Sequence, residues 1–364
     1  MKKFQLLFLQ QLVFSICLLG QHQLSARIDS LFNSFLQPGK PGGAVLIAKN
    51  NKIIFSKGYG VADINTKEPV TIHTSFNLGS ISKTFVSNAI LILQQRHLVN
   101  AEDNLATYFP SFKNKNIAQK VQIKHLLSHV SGLPDCRNVS DNVTFYLTAD
   151  DTQNFAPIQQ TDTLVFEPGS KYEYSNPAFN GLALIIEKVT SIKWQDFVKK
   201  EIFIKAGMNE SDITDGAHPE SGVAHGYEND HGIFKELDYG EEPTFCASGN
   251  GGVWSSVNDL FKYYQALMKP AFLNKQIISS SMQVKNFSTW IDTVKPFVGY
   301  SWFISKTFDG QHRIGHTGSQ GGFRTNFQFV PAKNVFVTML FNTPQDVEVI
   351  MKQVEMILKE EKYL

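Results

Sequence analysis

Ser80 and Lys83 are the residues whose types and spacing most directly suggest chemistry. They follow Gly79 at the start of an apolar run, so a helix beginning here would place both side chains on one face. Unpaired backbone N–H groups and the positive end of the helix dipole favour negative charge at Ser80. An amine that burial deprotonates can take the proton of a neighbouring hydroxyl. The pair therefore has the composition of a serine nucleophile and its base.

A second candidate stretch is Tyr174-Ser175-Asn176, which follows residues 166–169 (FEPG). A nearby ammonium group pushes a phenol toward phenolate, so Tyr174 could act as a second base or proton shuttle. The amide of Asn176 could hold a substrate carbonyl or help to place Lys83.

A third candidate stretch is residues 315–322 (GHTGSQGG), at the end of a predicted strand. A glycine-flanked edge strand allows a substrate backbone to lie alongside it and presents N–H donors. We expect the backbone N–H of Ser319 to face that of Ser80 across a scissile carbonyl, which would form an oxyanion hole. The candidate substrate-binding residues of this strand are His316, Thr317, Gly318 and Ser319.

The elements that must position these residues form β-rich runs at both ends of the chain and a helical middle. Strands are predicted at residues 43–49, 53–60, 298–304, 313–317, 323–330 and 335–341. Helices are predicted at residues 27–37, 80–93, 123–129, 178–187, 194–203, 256–268 and 345–360. The spacing of apolar residues after Ser80 predicts that one face of its helix lies in the core.

We therefore expect an α+β fold, an α/β sandwich in which terminal helices flank one antiparallel sheet. A helical region, at about residues 85–245, would be inserted between the strands. Residues 209–247 would close this region as a long loop with short strands. The candidate site would lie between the sheet and the insertion, where the Ser80 helix begins.

The composition sets broad limits on the class of protein. The chain has 364 residues, of which 42% are hydrophobic, enough for one large or two modest domains with a real core. The formal net charge of +1 provides no basic excess, so we expect no nucleic-acid partner.

The N-terminal residues have the pattern of a secretory signal peptide. Two lysines precede an apolar run over residues 6–20, and residues 24–26 (LSA) offer a small-residue cleavage site. We expect residues 1–26 to be removed and residues 27–364 to form an exported domain, periplasmic or extracellular. Glutamines shorten the apolar run, so we expect no stable membrane span after cleavage. An uncleaved N-terminal membrane anchor is the alternative.

Cysteine and histidine spacing predicts no metal site or cofactor. Cys136 and Cys246 lie far apart in sequence, and an exported protein could pair them, but the spacing leaves that open. His125 and His129 are four residues apart, as zinc ligands can be. No glutamate lies between them in the metalloprotease pattern, so we expect no zinc there.

In order and spacing, the three stretches resemble the motifs S-x-x-K, Y-x-N and K-T-G or H-T-G of the serine β-lactamase and penicillin-binding family. The resemblance is to the branch of class C β-lactamases, soluble DD-carboxypeptidases and related esterases. It runs from about Arg27 to the C-terminus. Further similar stretches are residues 76–79 (FNLG), 126–133 (LLSHVSGL), 166–169 (FEPG) and 251–255 (GGVWS).

The resemblance implies a serine hydrolase whose Ser80 is acylated, with Lys83 and Tyr174 handling protons and either one as the general base. It implies Asn176 and Thr317 as substrate contacts. The expected activity is DD-peptidase- or esterase-like, with penicillin binding, on a small peptide, ester or β-lactam. The alternatives are a class C-like β-lactamase, or a penicillin-binding or sensing module that is acylated without turnover.

His316 is a departure, because the β-lactamases of this family carry lysine at that place. The departure favours the DD-peptidase and esterase relatives. A charged imidazole could attract a substrate carboxylate, and its unperturbed pKa is about 6.5. The alternative is a neutral His316 that hydrogen-bonds within the site.

Overall fold

The computed structural model of the protein describes residues 22–137, 145, 148–214, 219, 221–237 and 246–364. The strands in chain order are β1 (Gly43–Lys49), β2 (Lys52–Tyr59), β3 (Phe76–Asn77), β4 (Asp212–Ile213), β5 (Tyr227–Asp230), β6 (Ile233–Glu236), β7 (Val253–Ser255), β8 (Phe303–Lys306), β9 (His312–Gln320), β10 (Phe323–Val330) and β11 (Val335–Phe341). The main sheet has six strands in the order β2-β1-β11-β10-β9-β8, and all neighbours are antiparallel. Smaller sheets join β3-β7-β4 and β5-β6.

Helices precede, interrupt and follow the strands of the main sheet. They span residues 22–33, Ser82–Gln95, Leu105–Tyr108, Lys115–Lys120, Ile123–Leu127, Asp151–Gln159, Asn176–Thr190, Trp194–Val198, Ile204–Ala206, Val257–Met268, Lys275–Ser281 and Val347–Glu360. Short 3-10 turns lie at Gly79–Ile81 and Pro331–Lys333, and a π-helical turn at Lys199–Phe203. Among the described residues, no helix is long and apolar enough to cross a membrane.

The two faces of the main sheet bury different helices. The first and last helices pack on one face, where Leu24, Ile28 and Phe32 meet Val45, Ile47, Val337, Met339, Ile350, Val354 and Leu358. The inserted helices cover the other face in a larger core. Strand β1 (GAVLIAK) is apolar up to its last residue, Lys49, because it is buried on both faces. The predicted antiparallel sheet with terminal helices and a helical insertion is confirmed.

Two predicted boundaries are wrong. The strand predicted at residues 298–304 begins only at Phe303, because the chain turns back on itself at Gly299, whose N–H donates to the carbonyl of Trp302 (2.8 Å). The first helix already includes residues 22–26, where Leu24 is fully buried. Cleavage after Ala26 stays a prediction, and it would remove this core residue. Residues 1–21 of the predicted signal peptide lie outside the described residues.

The helix Ser82–Gln95, called here the serine helix, is buried more completely than its apolar spacing predicts. Every residue from Ser82 to Leu93 is buried, not only one face. The helix Asn176–Thr190 packs on this helix, and Tyr263 of the helix Val257–Met268 stacks on its Phe85 at 4.3 Å. Its polar residues therefore lie in the interior, where each needs a partner. Cys136 and Cys246 are both thiols, so the disulfide left open by the sequence is absent here.

Candidate active site

Ser80 lies in a tight turn just before the serine helix. Gly79–Ile81 forms a 3-10 turn, where the sequence predicted a simple helix start. Gly79 has φ +51°, and its N–H donates to Oδ1 of Asn77 (2.9 Å). A Cβ on Gly79 would lie 2.7 Å from the backbone N of Ser319. Glycine is therefore required both for the turn and for the close approach of strand β9.

Strands β9 and β7 hold this turn from two sides. A Cβ on Gly318 would lie 1.9 Å from the carbonyl oxygen of Leu78, so glycine lets the strand reach the turn. The same Leu78 oxygen accepts a hydrogen bond from Oγ1 of Thr325 (2.8 Å). The N–H of Leu78 donates to the carbonyl of Val253 (2.8 Å). Ser80 is thus fixed relative to the third candidate stretch, about 240 residues away in sequence.

The register of β9 directs its backbone groups toward an open edge. Gln320 and Phe323 flank a two-residue turn, and such flanking residues exchange hydrogen bonds with each other. Because hydrogen-bonded and non-hydrogen-bonded pairs alternate, Ser319 and Thr317 direct their N–H and C=O groups away from β10. On that side, β8 pairs with residues 312–315. The edge beside Ser80 can therefore receive an extended substrate.

Lys83 is fully buried with its amine against Ser80. Its Nζ lies 3.1 Å from Oγ of Ser80 and donates to the carbonyl of Asn250 (2.6 Å). Burial, and after it the positive charge of Arg137, lowers the pKa of Lys83 well below its ordinary value. The neutral amine that this favours can accept the proton of Ser80.

Tyr174 covers this amine from the solvent side. Its ring centroid lies 5.1 Å from Nζ of Lys83. The ring stacks on His129 at 4.4 Å and lies 6.4 Å from the ring of His316. Tyr174 is 37% exposed, so it forms part of the wall that a substrate would meet.

His316 is buried and neutral. It is 2% exposed, and its Nδ1 lies 2.6 Å from the carbonyl oxygen of Thr317, so the Nδ1–H donates to that oxygen. The ring of Phe303 packs on it at 4.7 Å. Burial, and after it the nearby Lys83, lowers the pKa of His316 to about 3. Of the two alternatives for His316, the structure favours the neutral, hydrogen-bonded one.

Asn176 lies half-buried at the first position of the helix Asn176–Thr190. Ser175 caps that helix by accepting a hydrogen bond from the N–H of Ala178 (3.3 Å). The sequence offered Asn176 as a group that helps to place Lys83, whereas the amine donates to the carbonyl of Asn250. The expected substrate contacts of Asn176 and Thr317 stay predictions.

His129 contacts the Tyr174 stretch, a role that the sequence did not predict. Its Nδ1 accepts from the N–H of Ser175 (3.0 Å), and its carbonyl accepts from the N–H of Glu173 (2.9 Å). Together with the ring stack on Tyr174, these contacts hold three successive residues. Burial, followed by the charge of Lys83, lowers the pKa of His129 well below its ordinary value.

In the part of the chain that the structure describes, no group of histidine, cysteine or acidic residues could hold a metal ion.

The arrangement can support nucleophilic catalysis at Ser80, and comparison with known proteins agrees. The family model described as Beta-lactamase matches residues 28–356. This chain belongs to the beta-lactamase family. The mixed fold with its antiparallel sheet, predicted from the sequence, is that of this family.

Two similar proteins align along most of the chain. Penicillin-binding protein 4* of Bacillus subtilis (strain 168) is 29% identical over 361 residues, covering 92% of this chain and 76% of its own length. Protein flp of Staphylococcus aureus (strain MRSA252) is 27% identical over 322 residues, covering 87% of this chain. The chain spans 62% of the length of protein flp.

Solved structures show the same fold. The octameric penicillin-binding protein homologue from Pyrococcus abyssi matches with a TM-score of 0.78 at 24% identity, covering 93% of this chain and 77% of its own. The D-amino acid amidase from Ochrobactrum anthropi SV3 matches with a TM-score of 0.75 at 19% identity, covering 93% of this chain and 99% of its own. At such identities, the likeness concerns the fold alone.

Proposed function

We propose that the protein is an exported serine hydrolase that forms an acyl-enzyme on Ser80, with DD-peptidase- or esterase-like activity. The observation that carries this proposal is the fully buried amine of Lys83, 3.1 Å from Oγ of Ser80. A hydroxyl is a weak nucleophile until a neighbouring base takes its proton. Burial lowers the pKa of Lys83 and supplies such a base.

In the proposed mechanism, Oγ of Ser80 attacks the substrate carbonyl while its proton passes to Lys83 or Tyr174. The backbone N–H groups of Ser80 and Ser319 stabilise the oxyanion, and losing one such donor typically costs on the order of 3 kcal/mol. The leaving amine or alcohol takes up the transferred proton. Water then attacks the acyl carbonyl while one of its protons passes to the same base; the bond to Oγ of Ser80 breaks, Oγ takes that proton, and the carboxylic acid product leaves. The open edge of β9 holds the extended substrate beside this centre.

The state of His316 bears on the substrate class. A neutral, buried imidazole provides no fixed positive charge for a substrate carboxylate. This supports activity on esters and amides over efficient β-lactam hydrolysis, because β-lactams carry a carboxylate, as does a peptide that ends in D-Ala. Among the similar proteins are penicillin-binding proteins and a D-amino acid amidase, and we infer that substrates with a D-amino acid are the first to test. A penicillin-binding module without turnover is the alternative.

Export is part of the proposal and rests on the lysine-flanked apolar run at the N-terminus. Substrates of this kind would then be encountered outside the cytoplasm. The N-terminal sequence of the secreted protein would test this element separately from the chemistry.

Turnover and covalent mass together test the proposed activity. The purified protein is incubated with a labelled penicillin, a D-Ala-D-Ala peptide, a D-amino acid amide and short-chain aryl esters. We expect a mass increase on Ser80 with penicillin, and turnover of a peptide, amide or ester. Rapid penicillin hydrolysis with no peptide or ester turnover would identify a β-lactamase instead. Stable acylation without any turnover would identify the binding module.

The neutral state of His316 predicts parallel pH profiles for charged and uncharged substrates. Because burial lowers the pKa of His316 to about 3, its charge is constant above about pH 5. We expect KM for a carboxylate-bearing peptide and for a neutral ester of similar size to change together between pH 5 and 8. His316→Gln, a neutral replacement, should give the same parallel profiles. A rise in KM confined to the carboxylate substrate, and lost in His316→Gln, would show that His316 is charged.

A further inference from the structure

We propose that Asp151 is a positioning residue for the lysine of the active site. It holds the turn at Gly249 and Asn250, whose carbonyl binds the amine of Lys83. Asp151 itself is part of neither the three motifs nor the residues that would touch a substrate. The inference rests on the proposed function, because it takes Lys83 as the amine that activates Ser80.

A continuous line of hydrogen bonds joins Asp151 to Lys83. Oδ1 of Asp151 accepts from the N–H of Gly249 (2.8 Å) and from Nδ2 of Asn180 (2.8 Å). Oδ1 of Asn180 in turn accepts from Nδ2 of Asn250 (3.1 Å). The carbonyl of Asn250 accepts from Nζ of Lys83 (2.6 Å). The carboxyl therefore binds this turn both directly and through the amide of Asn180.

The whole line lies in the protein interior, where an unpaired polar group is costly. Asp151 is 7% exposed, and Asn180 and Lys83 are fully buried. Removing the acceptor at Asp151 would leave the N–H of Gly249 and the amide of Asn180 without this partner. Polar networks in such an environment act as a unit, so the loss would reach the Asn250 carbonyl.

Packing confines the turn to this one position. A Cβ on Gly249 would lie 2.6 Å from Cβ of Ala183 and 2.6 Å from the carbonyl oxygen of Phe179. The turn is therefore pressed against the helix Asn176–Thr190, the same helix that carries Asn180. The turn is held by its packing on the helix Asn176–Thr190 and by the hydrogen bonds of Asp151. Together they fix the position of the Asn250 carbonyl beside Nζ of Lys83.

Capping of its own helix does not explain the contacts of Asp151. The cap of the helix Asp151–Gln159 is Asp150, whose side chain accepts from the N–H of Gln153 (2.7 Å). The carboxyl of Asp151 instead reaches across to another helix and to the turn. Burial raises the pKa of Asp151 to about 7. The contacts need an acceptor oxygen and not a charge, so an asparagine amide should meet the requirement.

The test compares Asp151→Ala with Asp151→Asn, which keeps an Oδ1 acceptor. Asp259→Ala is the matched control, because Asp259 is also fully buried and accepts from the N–H of Glu210 (2.6 Å) and from Oγ of Ser211 (2.9 Å). If Asp151→Ala does not fold, Asn250→Ala takes its place: it keeps the carbonyl and cuts the bond to Asn180. For each variant, Tm, kcat and KM for an aryl ester and the rate constant of acylation by penicillin are measured.

We expect Asp151→Ala to lower kcat and the acylation rate constant about 100-fold, as misplacement of a catalytic group by about 1 Å does, with KM nearly unchanged. Asp151→Asn should recover most of that loss. Asp259→Ala should lower Tm but leave kcat within about threefold, because none of the groups that it binds contacts Ser80 or Lys83. Full activity in Asp151→Ala would overturn the inference. Losses of activity in Asp151→Asn and in Asp259→Ala as large as the loss in Asp151→Ala would overturn it too.

A separate readout distinguishes failure of this inference from failure of the proposed function. The side-chain NMR signal of Lys83, assigned by its disappearance in Lys83→Met, is titrated in the wild type and in each variant. We expect the titration of Lys83 to shift in Asp151→Ala and to return toward wild type in Asp151→Asn. That result supports the positioning role even if wild-type protein is never acylated, which would overturn the proposed function alone. An unchanged titration in Asp151→Ala overturns the positioning role.

Discussion

Ser80→Ala should abolish both ester or peptide hydrolysis and covalent labelling by penicillin. The Oγ atom that it removes lies 3.1 Å from the buried amine of Lys83, at the turn that strand β9 approaches most closely. Without the nucleophile no acyl-enzyme can form, and turnover should fall by on the order of 10⁴-fold or more. Intact-protein mass spectrometry after exposure to penicillin, together with kcat on an aryl ester, measures both effects.

A matched control for this variant is Ser280→Ala. Oγ of Ser280 also lies near a lysine, 3.4 Å from Nζ of Lys285, but Ser280 is exposed and the pair is accompanied by no second motif. Ser280→Ala should keep full activity and full labelling. If Ser80→Ala were still labelled at the wild-type rate, the acyl-enzyme mechanism would be wrong, whichever substrate the protein turns over.

Lys83→Met should reduce the acylation rate constant by about 10³-fold while leaving the fold intact. Methionine is of similar length and suits a fully buried position, whereas the amine that we propose to activate Ser80 is lost. Because burial lowers the pKa of Lys83, its neutral, proton-accepting form grows as pH rises toward that pKa. Acylation of wild-type protein should therefore rise with pH, and the variant should lose that dependence. Stopped-flow measurement of acylation between pH 5 and 9, with Tm as a check on folding, tests this.

Tyr174→Phe should also slow acylation severely, and the two losses should not add. The Tyr174 ring lies 5.1 Å from Nζ of Lys83, and we expect the two groups to act on one proton transfer. Lys285→Met is the control, because burial lowers the pKa of that lysine to about 8 without placing it at the site. An acylation rate in Lys83→Met equal to the wild type, or losses in the double variant equal to the product of the single ones, would contradict the shared role.

Local patterns in the sequence were sufficient for the sheet and for much of the helical insertion. The strands at residues 323–330 and 335–341 occur as predicted: recurring phenylalanines in the first, an apolar run in the second and the turn at their junction specify them. The hairpin turn at Asn50 and Asn51 could also be predicted from local sequence. Both residues have positive φ, which asparagine tolerates. The start of the strand predicted at residues 298–304 is wrong, because the N–H groups of Tyr300 and Ser301 donate to the carbonyls of Ser281 and Leu127, which are distant in sequence.

The motifs around Ser80, Tyr174 and Ser319 could be found in the sequence because spacing and residue type are local properties. What joins them is not local. The close approach of Gly79 to Ser319, and of Gly318 to the Leu78 carbonyl, exists only when β9 packs on the serine turn. The sequence therefore identified the candidate residues, and the tertiary structure decided the distances between them.

The electrostatic state of the site was likewise decided by the tertiary structure. Sequence alone left His316 either charged or neutral, since an exposed imidazole titrates near neutral pH. Burial beside Lys83 makes it neutral, and burial also lowers the pKa of Lys83 itself. Asp151 had no recognisable pattern at all, because its partners Asn180 and Gly249 are distant in sequence. A pKa depends on desolvation and on neighbouring charges, and both arise only when the chain is folded.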